Sequence, residues 1–128
     1  MKKTYTGINI QYPISQLILS KKKTIETRTY PIPEKYIGQE LLMIETPGKN
    51  GKFKSRIVAI IKFESCFKYK NSNEFYKDKK KHFVEPDSLW AWSDESPKWA
   101  WETKIIKIIK PKSVDKRLGI KFTLNLSL

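Results

Sequence analysis

Lys23, Glu26 and Arg28 bring an amine, a carboxylate and a guanidinium together within residues 23–28. If residues 24–29 form a strand, alternate side chains share a face, so Thr24, Glu26 and Arg28 point the same way. Lys23 stands at the corner before that strand and can turn to either face. Such a group supports acid/base chemistry. Glu26, buried enough to lift its pKa, would take a proton from water or from a ribose 2′-hydroxyl. Lys23 would stabilise a developing oxyanion, and Arg28 would orient a phosphate or carbonyl through its planar fork. Thr24 adds a hydroxyl beside them. The same spacing also describes a structural ion pair, and two cations next to Glu26 pull its pKa down.

The elements that must hold these side chains follow from periodicity. Residues 6–11 alternate polar and apolar, as a half-buried strand does. Pro13 suits the first turn of a helix, and Ile14, Leu17 and Ile18 recur at helical spacing. Residues 21–23 then lie near the C-terminal end of the dipole, where cations are favoured. Residues 24–30 form a strand stopped by Pro31 and Pro33, which lack an N–H for the ladder. Residues 39–46 and 54–67 read as a hairpin joined by turn chemistry at 47–51. Residues 71–83 read as a helix capped by Asn71 or Ser72, ending in a solvated lysine run at 79–81 and a solvated His82. Residues 84–98 are irregular, 99–109 return to strand, 111–117 form a loop, and 120–126 close as a strand. The order predicts a mostly β, α+β fold with two or three helices, in one domain over residues 1–128.

Composition narrows the function classes. The chain has 128 residues, 39% of them hydrophobic, with enough aromatic side chains for one ordered core. The longest uninterrupted apolar run, residues 57–61, is far short of a membrane span, and no apolar segment follows Met1. A membrane role is therefore not expected. Cys66 is the one cysteine, so no intramolecular disulfide can form, and a reducing, cytoplasmic setting is the simplest expectation. One Cys and one His argue against a zinc or iron–sulfur site within the chain. No metal or other cofactor is expected, although carboxylates suited to Mg²⁺ are present.

The net charge of +13 invites a polyanionic partner. Lysine supplies 23 of the 26 cations beside 16 isoleucines, a pairing that codon bias also produces. Trp99 and Trp101 sit two apart on a strand and read as core. Trp90 and Trp92 lie in the irregular segment, where packing explains an indole less easily and stacking on a base is an alternative. Tyr12, beside Pro13, is a further candidate for the same cleft. His82, Cys66 and Ser93 show no convergence into a nucleophilic triad.

The order of strand, short helix, lysine corner and Thr24-Ile25-Glu26-Thr27-Arg28 strand resembles the ASCH family, whose signature runs Gly-x-Lys-x-x-Glu-x-Arg. Lys23, Glu26 and Arg28 occupy the Lys, Glu and Arg positions, and Lys21 stands where glycine is usual. That departure implies a helix end without a left-handed turn. Gly38-Gln39-Glu40-Leu41, the strand running to Cys66, and Trp99-Ala100-Trp101-Glu102 through Pro111 resemble later family segments. The resemblance implies a small PUA-like mixed or antiparallel β-barrel flanked by two or three helices. It also implies a link to RNA. Family members include RNA-binding modules, a branch that removes the acetyl group from acetylated cytidine, and one with ribonuclease activity. The deacetylating branch carries a Thr where this chain has Glu26, so only Thr24 could supply that hydroxyl.

Three readings follow. The first is a domain that binds RNA or a modified nucleoside through Lys23, Arg28, Trp90, Trp92 and Tyr12. The second is a hydrolase on the same site, cleaving RNA or an acylated nucleoside with Lys23, Glu26 and Thr24. The third is a protein-interaction module whose basic surface reflects codon bias alone.

Overall fold

The computed structural model describes residues 4–114 and 122–128. Strand β1 (Thr4–Gln11) leads into helix α1 (Ile14–Leu19), then β2 (Ile25–Arg28), a 3-10 turn at Glu34–Tyr36, and β3 (Leu41–Thr46). The long β4 (Arg56–Lys68), helices α2 (Ser72–Lys77) and α3 (Lys79–His82), β5 (Trp99–Ser113) and β6 (Phe122–Ser127) complete the order. The strands form one mixed sheet in the order β2-β5-β4-β3-β1-β6, curled into a half-barrel. β1 runs parallel to β3, and the other four strand pairs among the described residues are antiparallel. Among the described residues, no helix is long and apolar enough to cross a membrane.

The expected β3–β4 hairpin forms, with Leu41 opposite Ile61 and Glu45 opposite Arg56. The helix expected over residues 71–83 is instead two short helices that break at Asp78. Asn71 caps α2 as anticipated, accepting the Glu74 N–H at 2.9 Å. β5 also differs from the sequence reading, because it runs on through Pro111. Its pairing with β4 shifts register between Ile57 and Ala59, and Pro111 falls in that irregular stretch, where a missing N–H breaks no ladder bond. Residues 115–117 of the expected final loop, and the start of the expected last strand, lie outside the described residues.

Trp101 anchors the main core with Ile8, Ile10, Ile18, Met43, Ile61 and Phe63 around it. Its indole N–H donates to the Tyr30 carbonyl at 3.1 Å, so a buried polar group keeps its partner. Trp99 is partly buried against the same cluster. A smaller cluster of Ile25, Tyr69, Phe75, Val84 and Ala100 ties α2 and the residues after α3 to β2 and β5. These two clusters fix the walls of the cleft described next.

Candidate functional site

Helix α1 ends in a Schellman turn: the Lys22 N–H donates to Leu17 at 3.0 Å and the Lys21 N–H to Ile18 at 2.9 Å. Lys21 takes the left-handed conformation, φ 64°, contrary to the expectation drawn from its non-glycine identity. The carbonyls at the end of α1 need those two donors whatever residue occupies the position, so the turn forms on lysine. This reversal directs Lys23 inward, where it is only 4% exposed.

The Lys23 ammonium donates to the His82 carbonyl at 2.7 Å and lies 3.5 Å from Glu26 Oε1. Glu26 is 7% exposed and accepts the Thr27 N–H at 3.1 Å. Its other oxygen lies 3.4 Å from Arg28 Nη2, which also donates to the Asn9 carbonyl at 3.0 Å. The Arg28 guanidinium sits 5.5 Å from the Trp101 ring centre. Strand alternation therefore does place Glu26 and Arg28 on one face. Burial alone would raise the Glu26 pKa, but Lys23, Arg28 and the Thr27 N–H together outweigh it and hold the carboxyl below its ordinary value. The same pairing raises Arg28 against its own burial.

A cleft of about 620 Å³ opens above this triad. Its lining takes Asn9, Tyr12 and Leu17 from β1 through α1, the buried Glu26 with Arg28 from β2, and Phe83, Ser88 and Trp90 from the segment after α3. Lys23, Arg28, Tyr12 and Trp90 are thus brought together. Trp90 is 47% exposed at the rim. Thr24 is not among the lining residues: it precedes β2, is exposed, and has its N–H bonded to the Lys81 carbonyl at 2.9 Å. Trp92 also lies outside the lining. Its ring packs 5.6 Å from Phe75 and its indole N–H donates to Asp94 at 2.7 Å, so it fastens the 84–98 segment to α2.

His82 departs most from the sequence reading, being fully buried rather than solvated. Nε2 lies 2.7 Å from the Phe75 carbonyl, which only accepts, while Nδ1 accepts the Val84 N–H at 3.0 Å. Those partners require the neutral tautomer with its proton on Nε2. Burial lowers its pKa, and nearby Lys23 lowers it further. Between the two bonded residues, Phe83 is left-handed (φ 59°) and 40% exposed on the cleft wall. Sequence reasoning missed Phe83 because it counted as the last residue of a longer helix.

A second buried carboxylate steadies the site from behind. Glu45, wholly buried in β3, accepts from Ser15 at 2.5 Å and Gln16 at 2.6 Å on α1, and pairs with Arg56 on β4 at 2.9 Å. It locks α1 against the hairpin. The only signal in the sequence was an acid at the end of the apolar run 41–44. Among the described residues, no three His, Cys, Asp or Glu side chains gather as a metal site.

No family model and no curated protein matches the sequence. Solved structures do match in fold. An ASCH protein from Zymomonas mobilis superposes with a TM-score of 0.69 at 14% identity, over 94% of this chain and 87% of that one. A serine-to-alanine mutant of the Zymomonas mobilis protein gives 0.70 at 15% identity, over 96% and 89%. Its tyrosine-to-phenylalanine mutant gives 0.67 at 14% identity, over 95% and 90%. The chain has the fold of the ASCH domains, with its Lys, Glu and Arg converging under one cleft.

Proposed function

We propose that this chain is an ASCH-type domain of the cytoplasm that binds RNA or a modified nucleoside in the cleft over Lys23, Glu26 and Arg28. The observation that carries the reading is the excess of one positive charge in the triad, with Lys23 and Glu26 buried and Arg28 partly so, beside a rim holding Tyr12, Phe83 and Trp90. Glu85, the other carboxylate of the lining, is paired with Lys79 at 2.7 Å. A nucleotide supplies the complement: one phosphodiester charge and one flat π face. Arg28 and Lys23 attract the anion, Glu26 holds their heads apart and offers an acceptor, and Trp90 stacks on the base.

Hydrolysis at the same site has weaker support. A carboxylate held low by two cations is a poor base near neutral pH. Thr24 does not line the cleft. The test is a titration with short single-stranded RNA and with acetylated cytidine, following indole fluorescence and then the ligand's mass. Binding that weakens in Arg28→Gln and Trp90→Ala, with the ligand's mass unchanged, supports the reading. Equal binding in both variants sinks it, and new fragments or a lost acetyl group would replace it with hydrolysis.

A further inference from the structure

We infer that the lysines of the α1–β2 corner and those of α3 form one phosphate track beside the cleft, so that the ligand is a strand of several nucleotides rather than a lone nucleoside. The inference rests on the proposed RNA-binding reading and extends it. In the sequence the two lysine runs are far apart: 21–23 reads as the C-terminal end of a helix leading into the site, and 79–81 as a solvated helix end. Two bonds join them in the fold: the Thr24 N–H to the Lys81 carbonyl at 2.9 Å, and the Lys23 ammonium to the His82 carbonyl at 2.7 Å.

Lys23 is the inward member of this group and reaches the cleft floor. Lys21, Lys22, Lys79, Lys80 and Lys81 stay exposed along the seam. Of these five, Lys79 alone has a carboxylate partner among the described residues, namely Glu85. Lys21, Lys22, Lys80 and Lys81 thus flank the seam with no ion-pair partner among the described residues, and a bound polyanion would relieve their repulsion. Point-like ammonium groups hold phosphates without reading sequence.

Backbone strain gathers at the same edge. Among the described residues, Lys21 and Phe83 are the two non-glycine positions with positive φ. One stands at the turn entering the seam and the other just beyond it, on the cleft wall. Glycine would form the Lys21 turn without strain, yet the position carries a cation. A cleft with one excess charge suits one nucleotide. The track suits the phosphates on either side of it, in the way single strands are held by a basic groove beside stacking aromatics.

The test compares a labelled, mixed-sequence single-stranded RNA octamer with nucleoside monophosphates. The track variant is Lys22→Gln/Lys80→Gln/Lys81→Gln, whose side chains do not line the cleft. The cleft variant is Arg28→Gln, and melting temperatures confirm that both fold. The track variant should bind the octamer at least ~10-fold more weakly at about 100 mM salt. Its salt slope should be shallower by about 2, for three lost phosphate contacts, while monophosphates bind within about twofold of the parent. An octamer affinity and slope unchanged in the track variant, with loss in Arg28→Gln, would overturn the track and leave the cleft reading standing. Loss in the track variant alone would keep the track and remove the cleft. A polyglutamate peptide that competes as well as RNA would overturn the inference in favour of an acidic protein partner, and a parent chain that binds neither nucleotide ligand overturns both.

Discussion

Two buried carboxylates in this chain each face an arginine, and they do opposite work. Glu45 is wholly buried, and its oxygens are filled by Ser15, Gln16 and Arg56 at 2.5–2.9 Å. One acid meets one base, and the group lies between α1 and the hairpin. Glu26 instead has two cations at 3.4–3.5 Å, leaving a charge of +1 beside a cleft. Burial and a lowered pKa are common to both, so neither property marks the site. Saturation and charge balance separate them. A buried pair with short bonds and no excess charge holds structure, whereas an unbalanced, loosely paired group beside open volume has capacity left for a ligand.

The comparison breaks most visibly on removal of each arginine. Arg56→Gln leaves Glu45 charged and without its cation, so chemical denaturation should show a loss of about 3 kcal/mol, the lower end for a broken buried pair because Arg56 reaches water. Ligand affinity should change little in the surviving folded protein. Arg28→Gln leaves Glu26 still facing Lys23 at 3.5 Å, so the buried carboxylate keeps a cation and the loss of stability should be smaller than in Arg56→Gln, about 1 kcal/mol. Affinity for single-stranded RNA should then fall about tenfold, equivalent to about 1.4 kcal/mol. If Arg28→Gln proved as destabilising as Arg56→Gln with affinity intact, the two centres would be structural alike.

The pH dependence sharpens the contrast between His82 and the acids. Native His82 is held below its ordinary value of 6.5. Below pH 6.5 the unfolded chain gains a proton that the folded chain resists, so stability should fall as pH drops from 6.5 toward the lower native value, by up to about 1.4 kcal/mol per pH unit. The carboxyl groups of Glu26 and Glu45 have native values below 4.5, so their stabilisation is present above 4.5 and lost as pH falls below it. Melting temperature against pH should therefore decline between 6.5 and 4.5 in the parent and stay nearly flat in His82→Gln. A decline of the same size in that variant would assign the effect elsewhere.

The smallest expected change is a gain. Lys21→Gly removes a left-handed lysine from the end of α1, which should stabilise the fold by about 1 kcal/mol and raise the melting temperature by roughly 3 °C. The same variant should lose some octamer affinity if Lys21 belongs to the phosphate track. Higher stability with unchanged affinity would confine Lys21 to the turn.

What was legible in the sequence was local. Alternation along a strand puts Glu26 and Arg28 on one face, and Asn71 marks its helix, whereas Pro111 does not end β5. Period-two spacing likewise put Trp99 and Trp101 in the core. The helix over 71–83 failed as one element because the carbonyls of Lys81 and His82 are taken by tertiary bonds from Thr24 and Lys23, which local periodicity does not encode. His82 was misread for the same reason: its lysine neighbours face water, while its ring stacks on Phe75 at 4.2 Å.

Reading along the chain is enough to place the charged residues in order and to pair Glu26 with Arg28, because residues two apart on a strand need no distant contact to meet. Folding in three dimensions is what lines the cleft with Phe83 and Trp90, leaves Trp92 and Thr24 outside it, and joins the two lysine runs at one seam. The physical reason is that these contacts join residues tens of positions apart. Burial of apolar side chains such as Trp101 and Phe75 drives them, and no local spacing encodes which distant surface a side chain will meet.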